Sequence, residues 1–209
     1  MDILEKLTWR YATKKFDPVR KLEEGQLERI LRATQLSASA YGLQPYKIIV
    51  ISDPAIRAKL RAASYDQSQI TDASHLIVFA RYDNLNEQHV ERYIDNIAST
   101  RRLERNMLEG FENVMKGTVN SLDEERAATW TGKQAYLALG TLLTASAADG
   151  IDTCPMEGFN AAAYDEILGL KEKNLRTVVI AAVGFRAAED GMQHAKKVRT
   201  PLEDFVETV

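Results

Sequence analysis

Three short, uninterrupted runs of apolar residues constrain the fold more than any other feature of the sequence. They cover residues 48–51 (IIVI), 76–80 (LIVFA) and 177–183 (TVVIAAV). Continuous apolar runs of this length are typical of strands that are buried on both faces. The sequence therefore predicts a β-sheet covered by helices on both sides. A chain of 209 residues suffices for one such core, so residues 1–209 are expected to form a single domain.

The segments between these runs have helical patterns. Helices are expected after a cap at Asp2, at 22–36, at 54–63 and from a cap at Asn160. Residues 86–149 predict a longer helical stretch, in which Gly110 and Gly117 mark the expected breaks. Its last part, 129–148, is apolar around most of its circumference. This pattern indicates burial, either in the core or at a subunit interface.

Composition excludes several classes of protein. A net charge of −3 and a pI near 5.7 argue against a globally basic nucleic-acid binder. The single cysteine excludes an internal disulfide and a four-cysteine zinc site, and the three histidines lack zinc-site spacing. No dinucleotide fingerprint, phosphate loop, serine-hydrolase elbow, signal peptide or membrane span is visible. We therefore expect a cytoplasmic protein with no metal site and with no nucleic-acid or membrane partner.

Two cationic clusters could meet an anionic ligand. One contains Arg10 and Lys14, and the other contains Lys196, Lys197 and Arg199. Arginine suits phosphate because it can donate two parallel hydrogen bonds to an ionised acceptor. From spacing alone, each cluster is more typical of a solvated surface.

The segment 154–159 (CPMEGF) also allows two interpretations. It is either a simple connecting turn or a loop in which Gly158 lets backbone donors approach a flat ligand closely. His75 precedes a buried run and is expected to be a packed, hydrogen-bonded histidine. Cys154 is expected to be a small buried apolar residue.

Six segments together resemble the FMN-dependent nitroreductase family, of the oxygen-insensitive bacterial NAD(P)H type. They are RYATKKFD at 10–17, SASAYGLQPY at 37–46, DASH at 72–75, KQAY at 133–136, PMEGF at 155–159 and KVR at 197–199. The resemblance rests on their order and spacing and covers nearly the whole chain.

The resemblance implies an α+β fold with a central mixed β-sheet flanked by helices. It also implies an intertwined homodimer in which the C-terminal extension of one subunit completes the sheet of the other. This would explain both the apolar helix at 129–148 and the apolar residues of the tail, Leu202, Phe205 and Val206. Two FMN sites would lie at the subunit interface, each built from both chains.

Roles for individual residues follow from the same resemblance. Arg10, Lys197 and Arg199 would bind the FMN phosphate with help from the backbone of Tyr11 and Ala12, and Lys14 would lie near the pyrimidine end of the flavin. Pro155, Met156, Glu157 and Gly158 would cover one ring face, with a main-chain N–H near Glu157 or Gly158 directed at flavin N5. Ser37, Ser39 and Gln134 would hold the ribityl chain or the ring edge.

The sequence departs from the family pattern at two places. Gly42 and Leu43 precede Gln-Pro where many members have Asn-Ser, although a subgroup shares this version. Where some members place a lysine near the flavin, this chain offers Gln67 and Gln69, so weaker stabilisation of reduced flavin is expected. Tyr41 and Phe111 are the candidates for the substrate pocket.

The implied reaction is a ping-pong hydride transfer from NAD(P)H through FMN to nitroaromatics, quinones or dihydropteridines. A nicotinamide that stacks on flavin needs no dinucleotide-binding motif, and the hydride chemistry belongs to the cofactor. One alternative is a flavin or dihydropteridine reductase on the same fold. The other is a dimeric interaction protein that retains the fold without catalysis.

Overall fold

The computed structural model describes residues 2–209 and contains a four-stranded sheet. The strands are β1 (Tyr46–Ile51), β2 (His75–Tyr82), β3 (Asp152–Met156) and β4 (Leu175–Gly184). Their order across the sheet is β1-β2-β4-β3, and all three ladders are antiparallel. The resemblance implied a mixed sheet, but within the single chain the ladders are antiparallel, and parallel pairing is limited to an isolated bridge between Ala12 and Thr153. Strand β1 has one neighbour only, so its outer edge is open in the single chain.

Strand β3 is a structural element that sequence patterning did not identify. Residues 154–156 were assigned to a turn or a loop, but they complete a five-residue strand. Pro155 disguises the strand, because proline has no N–H and is rarely found in a central strand. It is accommodated here because β3 lies at the edge of the sheet, paired with β4 alone.

The sheet is covered on both faces, as the continuous apolar runs predicted. Along β2, Ile77 and Phe79 contribute to one core cluster, whereas Leu76 and Val78 contribute to the other. The first face is covered by the helix that contains Ile30 and by the long helix from 124 to 148. The second face is covered by the helices between residues 54 and 72 and by the helix from 161 to 167. Both faces of the central strands are thereby removed from water, which accounts for their uniformly apolar sequence.

The predicted helices lie close to their expected positions. In chain order, the helices are α1 (Ile3–Trp9), α2 (Glu24–Gln35), α3 (Pro54–Ala62), α4 (Gln69–Asp72), α5 (Glu87–Arg101), α6 (Glu109–Asn120), α7 (Glu124–Ala148), α8 (Ala161–Ile167) and α9 (Leu202–Phe205). The two short helices α4 and α9 were not predicted. The predicted caps are present, since Asp2 accepts from the Leu4 N–H and Asn160 accepts from the Ala163 N–H. Within residues 2–209, no helix is long and apolar enough to cross a lipid bilayer.

The breaks in the long helical stretch do not occur at the expected glycines. Gly110 and Gly117 both lie inside α6. The chain turns instead at Arg102, whose φ of 55° is left-handed, and at Asp123, which caps α7. Arg102 is a poor sequence signal, because glycine or asparagine usually occupies a left-handed position after a helix.

Two helices present apolar side chains that the single chain does not bury. Helix α1 has no buried residue, and its Ile3, Leu4 and Leu7 are exposed. Helix α7 buries one side against the sheet but exposes Tyr136 and Leu137. Exposed apolar surface of this extent is typical of a protein–protein interface.

Gly184 permits a close approach between the end of β4 and the chain before β2. A Cβ atom at this position would lie 2.8 Å from the Ser74 backbone nitrogen and 3.1 Å from Cδ1 of Phe16. We expect Gly184→Ala to lower the free energy of unfolding by about 2 kcal/mol, because a rigid backbone atom must move to make room.

Gly117 offers a matched control, since it is helical and has no neighbour within 4 Å of an added Cβ. Gly117→Ala should therefore stabilise the protein by about 0.5–1 kcal/mol. Circular dichroism melting curves of both variants measure the two effects. Equal melting temperatures for Gly184→Ala and the unmodified protein would contradict the steric argument.

Candidate active site

The loop that follows α1 is fastened to the outer edge of β3. Ala12 forms the parallel bridge with Thr153, and the Thr13 N–H donates to the Thr153 carbonyl oxygen at 3.2 Å. Lys14 and Arg10 both lower the pKa of the Cys154 thiol, although burial raises that pKa above its usual value. The two cations of this loop therefore lie beside β3.

Three cations from opposite ends of the chain meet at this edge. The Lys197 ammonium donates a hydrogen bond to the Arg10 carbonyl oxygen. Burial and the neighbouring charge of Arg199 lower the pKa of Arg10, and burial, Arg10 and Arg199 lower that of Lys197. Like charges thus lie close enough to disfavour one another's protonated forms.

This cationic cluster, Arg10, Lys197 and Arg199, has no acidic counterpart. Within residues 2–209, none of the three forms an ion pair. The Nε of Arg10 is also buried without a hydrogen-bond acceptor. A buried charged donor without a partner is costly, so the cluster fits an anion that is not part of the protein.

Asp190 connects the two chain segments that carry these cations. Its Oδ2 accepts hydrogen bonds from Tyr11 Oη (3.0 Å), the Lys14 N–H (2.8 Å) and the Lys15 N–H (3.1 Å). Its Oδ1 accepts from the Met192 N–H at 3.1 Å. Burial raises the pKa of Asp190, but these hydrogen bonds outweigh it, and the pKa lies below its usual value.

A second part of the site follows β3. Gln67 donates to the Gly158 carbonyl oxygen at 2.7 Å and to the Ser64 carbonyl oxygen at 2.9 Å. The Tyr136 hydroxyl donates to Glu157 Oε1 at 2.6 Å, and burial together with this bond raises the pKa of Tyr136 to about 12. The N–H groups of Glu157 and Gly158 find no acceptor within residues 2–209. They are therefore available to a ligand.

The loop between α2 and β1 is held against α7. Gln134 Oε1 accepts from the Ala40 N–H at 2.8 Å, and its Nε2 donates to the Trp130 carbonyl oxygen at 3.1 Å. Ser37 Oγ accepts from the Thr141 hydroxyl at 3.0 Å. Within the loop itself, Ser39 Oγ accepts from the Gln44 N–H at 3.0 Å.

Tyr41 and Phe111, the predicted substrate-pocket residues, lie next to one another. Their ring centroids are 6.1 Å apart in an edge-to-face arrangement. Tyr41 has a φ of 58°, and its carbonyl oxygen accepts from the Tyr93 hydroxyl at 2.8 Å. Gly42 follows with a φ of 81°, and a Cβ there would lie 2.2 Å from Tyr93 Oη. The left-handed φ favours glycine here, and a side chain would displace the Tyr93 hydroxyl.

The structure links nearly all of the predicted segments through hydrogen bonds. The links run from Lys197 to Arg10, from the Arg10 loop to β3, from Glu157 to α7, and from Gln134 to the Ala40 loop. Gln69 is not among these linked residues: it is 9% exposed in α4, and its side chain makes no hydrogen bond within residues 2–209.

Sequence reasoning missed Asp190 and the pairing of Tyr136 with Glu157. Asp190 precedes Gly191 and caps a short turn, so the local sequence could indicate a capping role and nothing more. Its contacts with residues 11–15 span about 175 positions and have no local signature. Tyr136 was counted among the apolar residues of α7, and nothing in the helix pattern indicated a partner for its hydroxyl.

The architecture matches solved structures along its whole length. It superposes on a crystal structure described as nitroreductase ydfN of Bacillus subtilis with a TM-score of 0.88, 20% identity, and coverage of 99% and 98% of the two chains. A structure described as a nitroreductase in complex with FMN, from Exiguobacterium sibiricum 255-15, matches with a TM-score of 0.85, 19% identity, and coverage of 100% and 98%. These similarities define the fold.

Sequence similarity then identifies the family. The model of the Nitroreductase family matches residues 7–185. YfkO of Bacillus subtilis (strain 168), named as an NAD(P)H nitroreductase, is 33% identical over 99% of this chain and 97% of its own length. The chain therefore belongs to the Nitroreductase family.

Proposed function

We propose that this protein is an FMN-dependent oxidoreductase that uses NAD(P)H to reduce nitroaromatics, quinones or related acceptors. The observation that carries the proposal is the cationic cluster without an acidic counterpart, beside a loop that has free main-chain N–H groups. Membership of the Nitroreductase family and the FMN complex of a protein with this fold support it.

The residues present fit a flavin mononucleotide. Its phosphate requires cationic donors, and the buried Nε of Arg10 lacks an acceptor. We assign Arg10, Lys197 and Arg199 to the phosphate, assisted by the backbone of Tyr11 and Ala12. Ser37, Ser39 and Gln134 are assigned to the ribityl chain or the ring edge, with one Nε2 hydrogen of Gln134 left for the ligand.

The end of β3 and the loop after it are proposed to cover one face of the flavin ring. Pro155, Met156, Glu157 and Gly158 form this cover, and a free main-chain N–H of Glu157 or Gly158 is proposed to donate to the ring nitrogen that receives hydride. Gln67 donates to the Gly158 carbonyl oxygen, and Tyr136 donates to the Glu157 side chain. These bonds restrain the loop that carries the amide donors before the ligand binds, which reduces the cost of reorganisation.

Bound FMN would supply a two-electron carrier that is reduced by NAD(P)H and reoxidised by the acceptor in a ping-pong sequence. The protein contributes position and charge. Lys14 is proposed to stabilise the negative charge that develops at the pyrimidine end of the ring. Tyr41 and Phe111 offer aromatic surface to a planar acceptor.

Absorption spectra of the purified chain test this function. We expect a yellow protein with FMN bound, whose visible absorbance is lost on adding NADH or NADPH and returns on adding a quinone or nitroaromatic. Steady-state rates with free flavins and dihydropteridines as acceptors distinguish the alternative reductase. A protein that binds no FMN would refute the proposal and favour an interaction protein.

We also propose a homodimer in which the tail of each subunit adds to the partner's sheet. The open edge of β1 is flanked by two grooves, one of about 520 Å³ that includes Ile49 and Ile51 and one of about 330 Å³ that includes Ile48 and Val50. Side chains from an added strand would enter both grooves. The residues from 202 to 209 carry exposed apolar side chains and are long enough to pair with the six residues of β1.

Lys14→Gln tests the proposed role of the Lys14 charge. A partly exposed charge contributes about 1 kcal/mol, so the midpoint potential of the bound flavin should fall by about 20 mV. Equilibration with a reference dye measures this potential. Lys15→Gln is the matched control, because Lys15 is exposed like Lys14 and its side chain forms no hydrogen bond or ion pair within residues 2–209. Equal potentials in both variants would remove the assignment.

A further inference from the structure

We propose that Asp190 is a positioning residue for the phosphate site, which it organises by joining the N-terminal and C-terminal segments that carry its cations. This inference rests on the proposed FMN function. Within residues 2–209, Asp190 forms no hydrogen bond or ion pair with the cationic cluster itself. It acts through the backbone of the loop that carries Arg10 and through the chain that leads to Lys197 and Arg199.

The carboxylate of Asp190 is buried and fully hydrogen-bonded. Asp190 is 2% exposed, and both of its oxygens accept hydrogen bonds. Three donors belong to the loop after α1, namely Tyr11 Oη and the N–H groups of Lys14 and Lys15. The fourth donor, the Met192 N–H, belongs to the C-terminal segment. One side chain of the C-terminal segment therefore binds the loop after α1 and also caps the turn of its own chain at Met192.

Few other hydrogen bonds join the two segments after Asp190. Before Asp190, the segments are joined by the Asp17 N–H to the Phe185 carbonyl oxygen and by the Ala187 N–H to the Lys15 carbonyl oxygen. After Asp190, one hydrogen bond within the described residues joins the C-terminal segment to the loop after α1. It runs from the Lys197 ammonium to the Arg10 carbonyl oxygen. Asp190 is thus the last buried residue that joins the two segments before Lys197 and Arg199.

The negative charge of Asp190 and the geometry that Asp190 maintains have opposite effects on FMN binding. A carboxylate close to a phosphate site repels phosphate, so loss of its charge alone would strengthen FMN binding. Loss of the geometry it maintains would weaken FMN binding instead. Asparagine has the same shape but one carbonyl oxygen, so it cannot accept both from the loop after α1 and from the Met192 N–H, and its NH₂ group would face backbone donors. The sign of the change in affinity in Asp190→Asn therefore separates the two effects.

The test compares FMN with riboflavin, which has the same ring system and ribityl chain but no phosphate. Flavin fluorescence titrations of the full-length apoprotein give both dissociation constants. For Asp190→Asn we expect the FMN dissociation constant to rise about ten- to a hundredfold, because hydrogen bonds to a charged group are lost and the cations disperse. The riboflavin constant should rise only about a few-fold, since Lys14 is the one proposed ring contact in the loop that Asp190 holds and the others are attached to β3 and α7.

Glu189→Gln is the matched control, because Glu189 is exposed, adjacent and without a side-chain hydrogen bond. It should leave both dissociation constants unchanged.

Tyr11→Phe keeps the carboxylate and removes one of its four hydrogen bonds. We expect a few-fold rise in the dissociation constant for FMN alone. This variant tests the positioning role of Asp190 if Asp190→Asn does not fold.

Three results would overturn the inference while leaving the FMN function intact. They are an unchanged FMN affinity in Asp190→Asn, an increased one, or an equal loss for FMN and riboflavin, which would indicate a general structural role. If the unmodified protein itself binds no FMN, the proposed function and this inference fail together.

Discussion

Replacing Arg199 with alanine is expected to raise the dissociation constant for FMN about ten- to a hundredfold. The guanidinium belongs to a group of three cations in which burial and mutual repulsion already lower the pKa values of Arg10 and Lys197. A dianionic phosphate would relieve this repulsion and accept charge-assisted hydrogen bonds, each of which contributes about 1.5–3 kcal/mol. Titration of the apoprotein with FMN, followed by loss of flavin fluorescence, measures the change.

Arg101→Ala serves as the control for removing one positive charge. Arg101 is exposed at the end of α5 and forms neither an ion pair nor a side-chain hydrogen bond within residues 2–209. Its removal should leave the FMN constant almost unchanged, and raising the salt concentration should weaken FMN binding more in the unmodified protein than in Arg199→Ala. Equal dissociation constants for the two variants would refute the phosphate assignment.

Much of the fold could be predicted from local sequence, and the exceptions have physical causes. The runs at 76–80 and 177–183 became β2 and β4 because strands buried on both faces need apolar side chains at every position. Strand β3 was missed because Pro155 is acceptable only at an edge, and edge position is a property of the whole sheet. The turn at Arg102 was missed because a left-handed arginine has no local signature.

The site was predictable from recognised segments and not from their physical properties alone. The spacing of Arg10 and Arg199 in the sequence was typical of solvated surface residues. Only the fold brings these two side chains to one edge of β3. Asp190 escaped because its partners lie far away in the sequence. A local pattern can indicate a cap or an apolar face, but it cannot specify which loop a buried carboxylate will bind.

The open edge of the sheet and the exposed tail are complementary features of one chain. Strand β1 lacks a second neighbour, and exposed strand edges are rarely left without protection in stable proteins. The tail after Arg199 has hydrogen bonds only within itself, and Val206 already has an extended backbone with φ −118° and ψ 125°. Pairing of the two between subunits would satisfy both.

Removing residues 201–209 should therefore raise the dissociation constant of the dimer at least about a hundredfold. Leu202 and Phe205 are 73% and 74% exposed in the single chain, and burying each such side chain contributes about 1.5–3 kcal/mol. Sedimentation equilibrium measures the constant. The shortened chain should retain its far-ultraviolet circular dichroism spectrum, because the tail makes no hydrogen bond to the rest of the subunit.

Phe205→Ser isolates one of these side chains, and Val19→Ser is its matched control. Val19 is 85% exposed but lies outside both the tail and the neighbourhood of β1, so its replacement should leave the dimer unchanged. Phe205→Ser should weaken the dimer at least about tenfold, since it removes about 1.5 kcal/mol or more of apolar burial. A truncated chain that dimerises as tightly as the intact one would show that the tail does not complete the partner's sheet, and the open edge of β1 would then need another explanation.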